Sequence, residues 1–249
     1  MALIFVLLKW VNMKNQYFGD INDYKKYSLL RLLSGYGQIE TAVCWVLTRD
    51  DDGNDGNRVK YLQQPDKWRS YDPTLYEYLQ EYVFRRGIRN VKMLETSDIL
   101  ANCRFYSEVI DDDIKLREAY FNRFLEFAEG ADLVFFDPDN GLEVKSVPRG
   151  KKNSSKYLYW SEVQASFEAG HSILIYQHFP RMNRQSYINN LVQQFKAVTK
   201  AKCIFYYKTR HVVFFLLPQP KHEECFIENN ANILNTWGKI ISFQELKLA

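Results

Sequence analysis

Chemistry could be done by one short stretch, residues 131–145, ADLVFFDPDNGLEVK. Asp137 and Asp139 place two carboxylates side by side in sequence, Asn140 adds an amide, and Glu143 and Lys145 follow. Such carboxylates can accept hydrogen bonds from an amino group, carry protons, or hold a divalent cation. A second group lies further on: Gln177, His178, Phe179, Pro180 and Arg181. It offers an imidazole that titrates near neutral pH, next to a ring and a guanidinium. A third precedes the first helix, where Tyr17, Phe18, Asp20, Asn22, Asp23, Lys25 and Lys26 crowd together. Each group also has a plainer reading: a polar turn, a structural histidine, a helix cap with its packing.

The elements that must position these groups follow from hydrophobic runs and breakers. Leu133, Val134, Phe135 and Phe136 form an apolar run of the kind buried on both faces of a sheet. Pro138 cannot donate to a ladder, so pairing stops there, and Asn140-Gly141 is a turn signal. Asp137 and Asp139 therefore belong at the carboxyl end of a central strand, where open α/β sheets bind ligands. Residues 172–176, SILIY, read as another buried strand, which puts His178 at the same edge. Residues 41–47, TAVCWVL, are a third, running into a polar loop from Thr48 that contains Gly53 and Gly56. That loop could bring backbone N–H groups to a ligand or hold a cation, but it lacks the GxGxxG spacing and the closing Glu of an EF-hand. Residues 91–95 read as a short strand ending in Glu95. These four strands are expected to be parallel neighbours.

Between them the apolar spacing predicts helices: one capped by Asn22 or Asp23 and ended by Gly35 and Gly37, one after Asp72-Pro73, then 111–128 with Ile114 inward, 159–169, 184–200 and 223–236. Residues 146–156 are a basic loop beside the site, either a substrate lid or a solvated surface loop. Residues 202–208 and 212–217 read as a hairpin, and 240–243 as a last strand. The expected fold is a single Rossmann-like α/β domain over residues 13–249: a mostly parallel central sheet, a C-terminal antiparallel hairpin, and helices on both faces. Residues 1–12 are taken as a start-site extension, because Met13 opens the polar MKNQYFGD; a core strand is the alternative.

Composition narrows the classes. An apolar fraction of 46 %, with 16 % aromatic, excludes a disordered chain. A net charge of +3 supplies no general attraction for nucleic acid, so any basic patch must be local. Cys44, Cys103, Cys203 and Cys225 are far apart, which fits neither a zinc ribbon nor a disulfide framework and suits a reducing, cytoplasmic setting. The apolar run at 2–8 ends at Lys9, too short to span a bilayer and without signal-peptide flanks, so no membrane partner is expected.

The order of buried strand, Asp-Pro turn, helix, buried strand, helix and antiparallel hairpin resembles the second half of class I S-adenosylmethionine-dependent methyltransferases. Asp137-Pro138-Asp139-Asn140 stands where amino-group methyltransferases of that family carry Asp-Pro-Pro-Tyr. The leader FGDINDYKKYSLL resembles that of one ribosomal-RNA adenine methyltransferase group. The resemblance spans residues 17–217 and is closest over 131–217. It implies S-adenosylmethionine as cofactor, in a pocket at the ends of the strands near 41, 91 and 131, lined by Thr48, Gly53, Glu95 and Asp137. Glu95 would take the ribose. Asp137, with Asp139 and His178, would serve the target amino group. Tyr17, Phe18, Asp20, Asn140, Phe179 and Arg181 would hold a substrate such as RNA or DNA. Asp139 and Asn140 replace the second proline and the aromatic of the signature, the ring that stacks on a target base. Two other classes compete. One is a metal-dependent nuclease using Asp137, Asp139, Glu143 and Lys145 with Mg²⁺ or Mn²⁺. The other is a non-catalytic Rossmann-like module of a defence or mobile-element system.

Overall fold

The apolar runs form the middle of one seven-stranded sheet. In the computed structural model, which describes Asn15 and residues 17–49 and 56–248, the strands are β1 (Thr41–Cys44), β2 (Cys103–Tyr106), β3 (Leu133–Phe136), β6 (Ser172–His178), β7 (Cys203–Lys208), β8 (Val212–Leu217) and β9 (Ser242–Lys247). Their order is β2-β1-β3-β6-β8-β7-β9. β2, β1, β3 and β6 run parallel, and β8 lies antiparallel between β6 and β7. β9 pairs antiparallel with β7 at the edge. Every residue of β1, β3 and β8 is buried, which is why these strands read as unbroken apolar runs. Two short strands, β4 (Gly141–Leu142) and β5 (Tyr157–Leu158), form a separate parallel pair beyond the end of β3.

Helices cover both faces, so the chain is a single Rossmann-like α/β domain. α5 (Ile114–Phe127), α6 (Trp160–Glu168) and α7 (Arg184–Thr199) pack through Phe121, Phe124, Val163, Ile188 and Phe195 on one face. α1 (Ile21–Leu33) and α8 (Glu223–Trp237) lie on the other, with a helical insert between β1 and β2 that includes α2 (Pro65–Trp68), α3 (Pro73–Leu79) and α4 (Lys92–Glu95). The chain order reverses between β1 and β3: β2 lies to one side of β1 and β3 to the other. Ligands of open α/β sheets bind at such a point.

Some expectations need correction. Residues 91–95 are not a strand: Lys92–Glu95 is a helical turn, and the neighbour of β1 is Cys103–Tyr106. A five-residue apolar pattern does not separate strand from helix. The cap of α1 is Asp20, which accepts from the Asn22 N–H at 2.8 Å, not Asn22 or Asp23. Ile114 is 45 % exposed, because it is the first residue after the Asp113 cap and precedes the buried stripe of α5. Both β8 and β9 oppose the parallel strands, where one reversed strand was expected. Residues 146–156 are tied down and do not line the cleft described below. Arg117, fully buried, pairs with Glu162 and donates to the carbonyls of Ser154 and Tyr157, while Asp112 accepts from the N–H groups of Asn153 and Ser155. Residues 1–12 and Gly53 lie outside the described residues. Among the described residues, no helix is long and apolar enough to cross a membrane.

Candidate functional site

α1 is almost entirely buried, although its sequence, INDYKKYSLLRLL, is largely polar. It runs between the sheet and the insert, so its charged groups need partners. Lys26 finds two. Its Nζ lies 2.7 Å from Asp23 Oδ1 and 2.6 Å from Asp137 Oδ2. The three side chains are 7, 7 and 15 % exposed. Three rings face the ammonium, Tyr27 at 5.1 Å, Tyr176 at 5.5 Å and Trp45 at 5.8 Å from their centroids, within cation–π range. Two carboxylates thus share one buried ammonium, leaving one negative charge in excess.

Desolvation, and then the Asp23 charge, push Asp137 up to about 6 against the pull of Lys26. Lys26 moves upward too: burial opposes its charge, but the Asp137 and Asp23 carboxylates outweigh burial and hold it as an ammonium. Asp23 is anchored differently. Its Oδ2 accepts from the Gly19 N–H at 3.1 Å and the Tyr27 hydroxyl at 3.0 Å. Asp20, besides capping α1, is gripped by Arg58 through both oxygens at 3.1 and 3.2 Å.

These groups open onto one cleft of about 800 Å³ at the carboxyl end of β3 and β6. That is within the range of cofactor and small-ligand sites, ~300–1,000 Å³. Tyr17, Asp20, Asp23, Lys26, Asp137, Asp139, Asn140, His178 and Phe179 all line it, as do Tyr176 and Tyr187. His178 accepts or donates at 2.9 Å with the Tyr176 hydroxyl, and burial together with the Lys26 and Arg58 charges lowers its pKa, so it is neutral at pH 7. Gln177 fixes the wall: its Oε1 accepts from the Leu142 N–H at 2.7 Å. Gly141 permits this, since its φ is +90° and a Cβ would lie 2.3 Å from Gln177 Oε1.

A smaller hollow of about 60 Å³ adjoins the cleft at the switch point, sharing Tyr17, Asp23, Lys26, Asp137 and Asp139, and reaching Phe18, Trp45 and Thr48. Thr48 donates to Asp139 at 2.9 Å. Val46 there has a φ of +49°, a left-handed conformation unusual for a β-branched residue. Phe18, 2 % exposed, is a core residue facing this hollow rather than the cleft. Glu95 lines neither space. It sits on α4 with Oε1 accepting from Trp45 Nε1 at 2.8 Å and Ser107 Oγ at 2.6 Å, which still places it beside the carboxyl ends of β1 and β2. Arg181 lies in a side groove of about 510 Å³ with Phe179 and His211. Glu143 is used at the start of α6, where it accepts from the Trp160 N–H at 3.0 Å. The described residues hold no cluster of three metal-ligating side chains.

Sequence reasoning named Lys26, the centre of the site, only as one of the leader's crowded residues and gave it no role. Its signal was present: a helix whose polar residues fall on every face must bury some of them, and a buried lysine needs carboxylates.

No family model matches the chain, and no curated protein matches it. Two solved structures are similar in part. Protein LPL1258 from Legionella pneumophila str. Philadelphia 1, of family-model DUF519, is 8 % identical over 92 % of this chain and 97 % of its own, with a TM-score of 0.44. Human methyltransferase-like protein 13, in complex with SAH, is 14 % identical over 86 % of this chain and 91 % of its own, with a TM-score of 0.36. At TM-scores below 0.5 these likenesses add no weight to a functional reading, which rests on this chain's own residues.

Proposed function

We propose that the chain is an S-adenosylmethionine-dependent methyltransferase acting on an amino group of a nucleic acid. The observation that carries this reading is Asp137: a buried carboxylate on an Asp-Pro turn, at the carboxyl end of a central strand beside the switch point, half-neutralised by Lys26 and facing a large cleft. The residues present suit the cofactor. A sulfonium is a cation, and the cluster of Asp23, Lys26 and Asp137 carries one negative charge in excess. Glu95, by the ends of β1 and β2 where such folds accept a ribose, lines neither space and is held by Trp45 and Ser107, so it does not contribute to the fit. Thr48 and Asp137 line the hollow between. When bound, the cofactor supplies an electrophilic methyl group.

The protein's share is alignment. Lys26 holds Asp137 by Oδ2, fixing the plane of the carboxylate. Asp137 then accepts from an N–H of the target amine and turns its lone pair toward the methyl donor. Alignment of this kind can be worth ~7–11 kcal/mol in well-oriented systems. His178, neutral and on the wall of the cleft, can take the proton that the amine loses. Tyr17, Phe179 and Tyr187 offer ring faces for a base in place of the aromatic missing from the turn.

The test is calorimetric titration of the full chain with S-adenosylmethionine and its demethylated product, with methyl transfer to RNA and DNA oligonucleotides followed by radiolabel. Binding of both, with transfer abolished in Asp137→Asn, is expected. Absence of cofactor binding, or transfer undiminished in the variant, sinks the reading.

A further inference from the structure

We propose that the groove beside the cleft docks the phosphate backbone of a single-stranded nucleic acid, through Arg181, Arg184, Arg210 and His211. This deepens the reading of the cleft as a pocket for a base. On the rest of the described surface, exposed arginines are matched to carboxylates: Arg49 to Asp111, Arg69 to Glu77, Arg123 to Glu108. Among the described residues, Arg181, Arg184 and Arg210 have no such partner; Arg181 and Arg184 line one groove, and Arg210 adjoins it next to His211.

The fold explains the convergence. β8 pairs antiparallel with β6, so the turn carrying Arg210 and His211 meets the end of β6, with His178 opposite Val212. The Phe179 N–H donates to the His211 carbonyl at 3.2 Å. Arg184 opens α7 with its guanidinium 5.4 Å from the Phe179 ring. The groove of about 510 Å³ between them is lined by Phe179, Pro180, Arg181, Met182, Arg184 and His211, and shares Phe179, Pro180 and Met182 with the main cleft. Burial, and then the charges of Arg58, Arg210, Lys25 and Arg184, lower the His211 pKa, so cations surround this imidazole. A chain with a net charge of only +3 has gathered arginines without carboxylate partners beside this cleft. That is the electrostatic footprint of a polyanion.

The strand must be single. A base paired in a duplex cannot enter a cleft of this depth without being unstacked, whereas a free strand can lay phosphates in the groove and turn one base past Phe179 onto the rings inside.

The experiment uses the full chain and fluorescein-labelled 12-nucleotide RNA, DNA of the same sequence, and the matching DNA duplex, by fluorescence anisotropy between 50 and 200 mM salt. Wild type should bind either single strand more tightly than the duplex. Single-strand binding loses about 0.7 log units of affinity per log unit of salt for each phosphate neutralised. The triple substitution Arg181→Gln, Arg184→Gln and Arg210→Gln should therefore flatten the salt slope by about 2 and weaken binding at least tenfold at 100 mM salt. All three side chains are exposed, so the variant should melt with wild type, and a melting curve checks this. An unchanged slope and affinity in the folded variant, no binding of either strand by wild type, or tighter binding of the duplex overturns the proposal. No cofactor enters these measurements, so failure to bind S-adenosylmethionine would count against the methyltransferase reading alone.

Discussion

At neutral pH, Asp137→Asn should make the protein more stable while removing the methyl transfer proposed for it. Two carboxylates and one ammonium are packed with side-chain exposures of 15, 7 and 7 %. Asp137 titrates at about 6 instead of its ordinary 3.8. At 1.36 kcal/mol per pH unit, holding it ionised at pH 7 costs up to ~3 kcal/mol. The carboxyl's pKa is raised on folding, so the folded state binds more protons. Its contribution to stability is complete below pH 3.8 and is lost as pH rises through 6. Asparagine keeps the shape and an acceptor for Lys26 Nζ but carries no charge, so it should retain the acid-side stability at neutral pH. The ceiling of ~3 kcal/mol corresponds to about 6–12 °C in melting temperature for a chain of this size, at ~2–4 °C per kcal/mol. Burial raises the Asp23 pKa as well, but Asp23→Asn should gain less, because Asp23 Oδ2 accepts from both the Gly19 N–H and the Tyr27 hydroxyl. Leaving one of those donors unmatched costs ~1–3 kcal/mol. Thermal and urea unfolding at pH 4.5, 6.0 and 7.5 test this. The advantage of Asp137→Asn should be largest at pH 7.5 and shrink toward pH 4.5. A variant less stable than wild type at pH 7.5, or an advantage that does not change with pH, would refute the account of the Asp23–Lys26–Asp137 cluster.

Methyl transfer by wild type should rise with pH through an apparent pKa of about 6 as Asp137 ionises, and a profile flat from pH 5 to 8 counts against its role as acceptor. Arg117→Met should cost ~1–3 kcal/mol in urea unfolding, because it leaves Glu162, 2 % exposed, to Arg149 and frees the carbonyls of Ser154 and Tyr157; an unchanged stability would show the pair to be replaceable. Gly141→Ala should be destabilised by ~2 kcal/mol or more and lose the Gln177 contact, whereas Gly130→Ala, at φ +83° with open space around it, should lose only ~1 kcal/mol, and equal melting temperatures for the two would contradict the crowding at Gly141.

The sheet was legible because its strands are buried on both faces and bounded by Pro138, Pro180 and turn residues, so Leu133–Phe136, Ser172–His178 and the final hairpin stand out as apolar blocks. Asp137, Asp139 and His178 fell on one cleft for the same reason: each directly follows or ends such a block. The strand at Cys103–Tyr106 was not legible. Its sequence, CRFY, carries an arginine that reaches the carbonyls of Phe127 and Glu129, and its burial is only partial, so it lacks the apolar run that marks its neighbours. Glu95 was placed on the wrong element, and α4 turns it to Trp45 and Ser107 instead of into the cleft. The leader's crowded polar residues were visible in the sequence, but not their geometry: only the fold shows that α1 lines the cleft and that Lys26 reaches a carboxylate 111 positions away.

The burial of α1 bears on whether the site is chemical at all. A helix that needed only to pack against the sheet would be served by apolar residues at positions 23 and 26, since replacing buried ion pairs by well-packed hydrophobic groups is often neutral or stabilising. Here the polar set goes beyond a balanced pair. Asp23 alone satisfies Lys26, the Gly19 N–H and the Tyr27 hydroxyl. Asp137 adds the surplus charge, raised in pKa by burial first and then by the Asp23 charge, and turned toward an open cleft instead of toward a second cation. A purely structural turn gains nothing from that arrangement and is weakened by it. A site that must meet an amine on one side and a cationic methyl donor on the other uses both its surplus charge and its fixed orientation. Stability that rises while turnover falls in Asp137→Asn is the signature that separates these cases, because a structural role for the carboxylate requires the two to fall together.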